Sequence, residues 1–219
     1  MSNTPIADQA AATQAQMAGQ LPAEVLAPFA AELEQLAAAG VPDTAAKSGT
    51  VMPDGDLLDA HGTPTTLQAS LAGKPAVVVL YRGDWCPYCN ITLRTYQAEL
   101  VDELAGRGAS LVAISPQKPD GSLNMKETNE LTFSVLSDPG NQIAAQLGVL
   151  TEATDGTKAS QSTLGLDVAA GNADGTAVIP LPTTVIVDAS GTIRWIDVHP
   201  DYVTRSEPAD ILAAYDAIL

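Results

Sequence analysis

Five consecutive apolar residues, Ala76-Val77-Val78-Val79-Leu80, run into Tyr81-Arg82-Gly83-Asp84-Trp85-Cys86-Pro87-Tyr88-Cys89. The run from Ala76 to Tyr81 has no polar face, which predicts an interior strand covered on both sides. A helix is predicted from Pro87 to about Ala105. Leu93, Tyr96, Leu100 and Leu104 form its buried stripe, and Gly106 and Gly108 end it. Ser110-Leu111-Val112-Ala113-Ile114 is the next strand, stopped by Ser115-Pro116. Strand, helix and strand at this spacing predict a right-handed βαβ unit, and hence an α/β fold.

The flanking segments add elements to that unit. Residues 1–45 read as a helical extension. Thr4-Pro5 opens one helix and Leu21-Pro22 interrupts it. A second helix runs from about Pro22 to Ala39 and stops at Gly40. Leu26, Phe29, Leu33 and Leu36 share a face of the second helix, so that face docks on the chain's own domain or on a second copy as a homodimer contact. Residues 46–219 read as the main domain. Short strands are expected near Leu57-Leu58 and Thr65 to Leu67, with a short helix over Met125 to Glu130. A strand over Phe133 to Leu136 and a helix over Ile143 to Leu147 follow. Thr151 to Thr176, polar and Gly-rich, reads as a long surface loop. Thr184 to Asp188 and Thr192 to Ile196 form a hairpin, and Ser206 caps a last helix.

Charge narrows the function. The 219 residues carry 26 Asp+Glu against 10 Lys+Arg, a formal charge of -16. Nucleic acids and anionic membranes require a basic surface, so neither is an expected partner. The Ala76 to Leu80 run is far too short to span a bilayer. Met1 to Gln20 has neither a basic residue nor the apolar core of a leader peptide, so the expected location is the reducing cytoplasm. The only two cysteines are Cys86 and Cys89. In a reducing compartment such a pair points to catalysis or metal binding rather than to a structural staple.

The strand-to-helix junction places both thiols at or inside the first helical turn. Free N–H groups and the positive end of the helix dipole stabilise a thiolate there, and Pro87 has no N–H to leave unpaired. Arg82 adds a fixed positive charge. A thiolate is the reactive form, so the residues point to thiol redox chemistry. Two other readings stand beside it. A zinc half-site needs two further ligands, and the only histidines, His61 and His199, are unsuitably spaced. An inert buried pair is the other. Neither a metal nor an organic cofactor is expected.

The Tyr81 to Cys89 stretch resembles the peroxiredoxin-like branch of the thioredoxin superfamily, which includes the alkyl hydroperoxide reductase and thiol-specific antioxidant (AhpC/TSA) proteins. The resemblance extends from about Gly49 to Leu219. It takes in Leu111 to Gln117, Val135 to Asp138 and Leu181 to Asp188 in order. Cys86-Pro87-Tyr88-Cys89 is also the active-site tetrapeptide of glutaredoxins. The resemblance implies a thioredoxin-like fold with a central mixed sheet flanked by helices. It implies that Pro182 is a cis-proline facing the cysteines. Typical peroxiredoxins carry P-x-x-x-T-x-x-C and a distant Arg. Aligned on that motif, Cys89 takes the peroxidatic position, Cys86 stands for the Thr and Arg82 for the Pro. The distant Arg falls at about Pro182 and is missing.

Two mechanisms follow. In a thiol peroxidase, Cys89 attacks a peroxide, Cys86 closes an internal disulfide, and an external thiol (thioredoxin, glutaredoxin or a low-molecular-weight thiol) reduces it. Arg82 stabilises the thiolate, Trp85 lines the site, and Gln117 donates a hydrogen bond to the substrate. In a disulfide oxidoreductase, Cys86 is the nucleophile and Cys89 resolves the mixed disulfide, with Pro182 alongside. A non-enzymatic redox sensor that docks a partner through its N-terminal helices is the third class. Asp84 is read as solvated or paired with Arg82.

Overall fold

A computed structural model describes residues 4–218. Helices α1 (Ile6–Gln20) and α2 (Ala23–Ala39) come first, then strands β1 (Asp56–Asp59) and β2 (Pro64–Thr66) and helix α3 (Leu67–Leu71). Next come β3 (Ala76–Leu80), α4 (Pro87–Glu99), α5 (Val101–Gly106), β4 (Ser110–Ser115) and α6 (Pro119–Thr128). β5 (Ser134–Ser137), α7 (Gln142–Gln146), β6 (Leu150–Glu152), α8 (Asp155–Thr163) and α9 (Val168–Gly171) follow. The chain ends with β7 (Val178–Pro180), β8 (Thr183–Val187), β9 (Ile193–Val198) and α10 (Pro208–Ile218).

Seven strands form one mixed sheet in the order β2-β1-β5-β4-β3-β8-β9. β3 pairs in parallel with β4 and antiparallel with β8, so the predicted apolar strand is interior. All five of its residues are buried. Its side chains alternate between two cores, as the period of a strand demands. Val77 and Val79 face the cluster that holds α4 and both cysteines. Ala76, Val78 and Leu80 face a second cluster with Leu67 of α3 and Ile143 of α7.

The N-terminal helices dock on the chain's own domain. Ile6 and Ala10 are buried in the first core, and Leu33 and Leu36 pack against it. Pro5, the residue before α1, offers no side-chain cap. The Glu207 carboxylate supplies one from across the chain, accepting from the Ile6 and Ala7 amides at 3.0 and 2.9 Å. Such a carboxylate also matches the positive end of the helix dipole.

The expected loop over Thr151 to Thr176 is instead largely structured, with β6, α8 and α9 in it. α8 escaped the sequence reading because it buries Thr157, Ser160 and Gln161 rather than an apolar stripe, so hydrophobic periodicity is silent. Thr154 caps it by accepting from the Thr157 amide. α6 begins at Pro119, earlier than the expected Met125, with proline in its first turn. The single helix expected from Pro87 divides at Leu100 into α4 and α5. Ser206 does not cap α10 with its side chain; its hydroxyl donates to Asp197. Among the described residues every peptide bond is trans, Leu181–Pro182 included.

α2 is held to α8 by a buried carboxylate. Glu32 accepts from the Thr154 amide at 2.8 Å, and the Thr157 hydroxyl donates to the Pro28 carbonyl at 3.3 Å. Glu32→Ala strands the Thr154 amide, and we expect a loss of about 1–3 kcal/mol. Urea titration should show a lower midpoint at unchanged slope. An unaltered midpoint would mean that Glu32 does not pin the helix.

Candidate active site

The turn between β3 and α4 is tied down through Asp84 and Asn90. The Asp84 amide donates to Gln117 Oε1 at 2.7 Å, and Gln117 Nε2 donates back to the Asp84 carboxylate at 2.5 Å. Asn124 donates to the other carboxylate oxygen at 2.6 Å. Asn90 reaches back from α4 to the carbonyls of Asp84 and Cys86, at 2.7 and 3.0 Å. Gly83 lets the chain pass close beneath Trp85. A Cβ there would collide with the indole Nε1 and meet Gln117 Cδ at 3.0 Å.

This turn delivers Cys86 as the residue before α4, Pro87 as its first residue, and Cys89 inside its first turn. Both cysteines are free thiols and both are buried. Arg205 Nη2 lies 3.4 Å from Cys89 Sγ. The Arg205 guanidinium is aimed by bonds to the carbonyls of Tyr202 and Thr204, each 2.6 Å. The Arg82 guanidinium lies 3.9 Å from the centre of the Tyr202 ring and 5.2 Å from that of Trp85. Among the described residues neither arginine forms an ion pair with a carboxylate. Their charge is therefore available to the sulfur.

Burial alone pushes the Cys89 thiol up, but the hydrogen bond from Cys86, the Arg205 charge, the Arg82 backbone and the Arg82 charge bring it down to about 5. The Cys86 thiol is held well above its ordinary range by burial and by sharing its proton with Cys89. The two shifts point the same way: the thiolate is favoured on Cys89 beside Arg205, and Cys86 keeps its proton.

Of the residues expected at the site, Arg82, Trp85, Cys86 and Cys89 are brought together. Gln117 is not at the thiols; it braces the turn through Asp84. Asp84 is not paired with Arg82, because Gln117 and Asn124 occupy its carboxylate. Pro182 lines a small cavity against Glu32, Arg82 and Tyr202, and does not line the cavity that reaches Cys86.

Arg205 and Tyr202 were missed, and the sheet explains why. The distant Arg was sought just before β8. β8 and β9 run antiparallel, with Thr183 opposite Val198, and the His199 amide bonds to the Pro182 carbonyl at 2.8 Å. The segment after β9 therefore leaves the sheet at the end where β8 enters. Arg205 brings its charge to the thiols from that segment. His199, Asp197, Ser206 and Thr204 hold the segment in shape, the ring 3.0 Å from Asp197 and 2.8 Å from Thr204.

Residues 48–196 match the AhpC/TSA family. The chain belongs to the AhpC/TSA family. Among its relatives is chloroplastic peroxiredoxin Q of Sedum lineare, 30% identical over 101 residues, which cover 46% of this chain and 53% of that one. Peroxiredoxin Bcp of Escherichia coli K12 is 29% identical over 106 residues, covering 48% of this chain and 67% of that one. The chain thus spans about half the length of the peroxiredoxin Q it matches. The crystal structure of peroxidoxin BcpB from Mycobacterium tuberculosis superposes with a TM-score of 0.59 at 25% identity, over 79% of this chain and 98% of that one. Reduced Prx3 of Vibrio vulnificus superposes at 0.62 with 18% identity, over 77% of this chain and 98% of that one, a likeness of fold. The AhpC/TSA chain therefore has the thioredoxin-like fold that its sequence led one to expect.

Gly83→Ala should displace the Trp85 indole. In a Trp195→Phe background, we expect red-shifted emission and a loss of about 1–3 kcal/mol in urea titration. Unshifted emission with unchanged stability would show that the close approach is unimportant.

Proposed function

We propose that the chain is a thiol peroxidase that reduces hydroperoxides with electrons from an external thiol. The observation that carries this reading is a Cys89 thiolate held 3.4 Å from Arg205, with the Cys86 thiol as its hydrogen-bond partner. The Cys89 sulfur attacks the outer oxygen of the peroxide and the O–O bond breaks. The departing alkoxide takes a proton and leaves as an alcohol, or as water when the substrate is hydrogen peroxide. Cys89 is now a sulfenic acid. The Cys86 sulfur, after losing its proton, attacks the sulfenic sulfur; hydroxide leaves, takes a proton as water, and a Cys86–Cys89 disulfide remains. Two external thiols then return both cysteines to the reduced state. Arg205 and Arg82 stabilise the negative charge on sulfur and on the departing oxygen in turn.

The cytoplasm is the compartment this cycle suits, because its thiol pool regenerates the pair. Among the described residues no helix is long and apolar enough to cross a membrane. A homodimer would use the part of α2 around Leu26 and Phe29 or another surface, because Leu33 and Leu36 pack against the chain's own core.

One observation favours a second reading. Cys86, not Cys89, lines the cavity beside the site, as an attacking cysteine in disulfide exchange would. Stoichiometric hydrogen peroxide separates the two. For the peroxidase, intact-mass analysis should show the wild type losing two hydrogens and Cys86→Ser gaining one oxygen on Cys89. Cys89→Ser should react no faster than free cysteine. Disulfide exchange is the better account if Cys86→Ser is inert to peroxide and Cys89→Ser still forms mixed disulfides.

A further inference from the structure

A cavity of about 380 Å³ opens beside the redox pair. Its walls are apolar: Met17 from α1 and Leu21 just after it, Phe29 and Leu33 from α2, and Leu164 and Leu166 beyond α8. Cys86 lies on its floor and Cys89 does not line it. Arg82 and Tyr202, both buried, also line it, and among the described residues Arg82 forms no ion pair with a carboxylate. An unpaired guanidinium at an apolar wall favours an anion on whatever enters. The site is concave, mostly apolar and supplied with a few convergent polar groups, as small-molecule sites are.

We infer that this cavity receives the reductant, and that the reductant is a small thiol with an apolar body and a hydrogen-bond acceptor such as a carboxylate, rather than a protein dithiol. The inference rests on the peroxidase reading for the direction of electron flow. The geometry favours a small molecule. A disulfide between two polypeptides requires Cα atoms within about 7 Å of each other. Cys86 is only 1% exposed, beneath two helices. Those helices are pinned, α1 by Glu207 and α2 by Glu32 and Thr157. A protein cannot bring its backbone that close without unseating them, whereas a small thiol can enter. The carboxylate would lie toward Arg82, and the apolar body would lie against Phe29 and Leu33.

The step balances as ordinary thiol–disulfide exchange. The thiolate of the reductant attacks Cys86 Sγ, the Cys86–Cys89 bond breaks, and its electron pair leaves on Cys89 beside Arg205. A thiol that is readily ionised leaves fastest, so attack at Cys86 is also the favoured direction. A second reductant molecule attacks the outer sulfur of the mixed disulfide. Cys86 leaves as a thiolate and takes up a proton, and the reductant departs as its own disulfide.

The test uses full-length protein oxidised to the internal disulfide with diamide, so that it does not depend on reactivity toward peroxide. Reduction is followed by acid quench, alkylation and mass analysis. At equal thiol concentration, corrected for thiol ionisation, para-(mercaptomethyl)benzoate should reduce the disulfide about ten-fold or more faster than glutathione. It should also outpace thioredoxin. Ala30→Trp and Ala18→Trp, both at exposed positions on the cavity rim, should each slow reduction by this thiol about ten-fold more than oxidation by hydrogen peroxide. Faster reduction by thioredoxin overturns the inference, as does a rim tryptophan that leaves reduction unaffected. If the rim variants instead slow oxidation by cumene hydroperoxide and spare reduction, the cavity admits peroxide and the inference is wrong. Failure of hydrogen peroxide to oxidise the thiols would overturn the peroxidase reading alone.

Discussion

A negative sulfur inside a protein core is costly unless cations and hydrogen-bond donors surround it. Cys89 is wholly buried, and the Cys86 hydrogen bond, Arg205 and Arg82 supply the compensation. Each arginine needs its own support. Arg205 is fixed by two backbone carbonyls, and Arg82 rests between the rings of Tyr202 and Trp85. Arg205 follows β9, Arg82 follows β3, and Cys89 sits in the first turn of α4. The three meet because β3, β8 and β9 are neighbours in one sheet. The sheet therefore acts as the frame that makes a buried thiolate tenable.

The same requirement accounts for the rigidity of the turn. If the chain between Gly83 and Cys86 were free to move, the distances from Arg82 and from the start of α4 to the sulfur would vary, and the electrostatic compensation with them. Asp84, Gln117, Asn124 and Asn90 remove that freedom through direct hydrogen bonds. The N-terminal helices cover one side of the site with apolar side chains. They also leave Cys86 facing an apolar cavity, so the two sulfurs of one motif face different surroundings.

Where local signals were strong, the sequence was legible. The apolar run at Ala76, the cysteines at the start of α4, the hairpin of β8 and β9 and the two N-terminal helices follow from periodicity and from Pro and Gly punctuation. α8 was illegible because it buries hydroxyl and amide side chains, which hydrophobic patterning cannot distinguish from a polar loop. Arg82, Cys86 and Cys89 could be placed at the site because they are close in sequence. Arg205 is 116 residues from Cys89, and only the pairing of β8 with β9 shows that the segment carrying it returns to the thiols. Gln117 was assigned to the substrate because it follows a strand beside the site. Its partner in the structure is Asp84, which in the sequence reads as solvated or paired with Arg82, and only the tertiary arrangement brings the two together.

The thiolate itself is the quantity to measure. Ultraviolet thiolate absorbance of the reduced protein, titrated against pH, should show one cysteine ionising with a midpoint of about 5. In Arg205→Met, that midpoint should rise by about 1–3 pH units, the effect of removing an adjacent opposite charge. A wild-type midpoint at the ordinary cysteine value of about 8.5, or one that Arg205→Met leaves in place, would contradict the account.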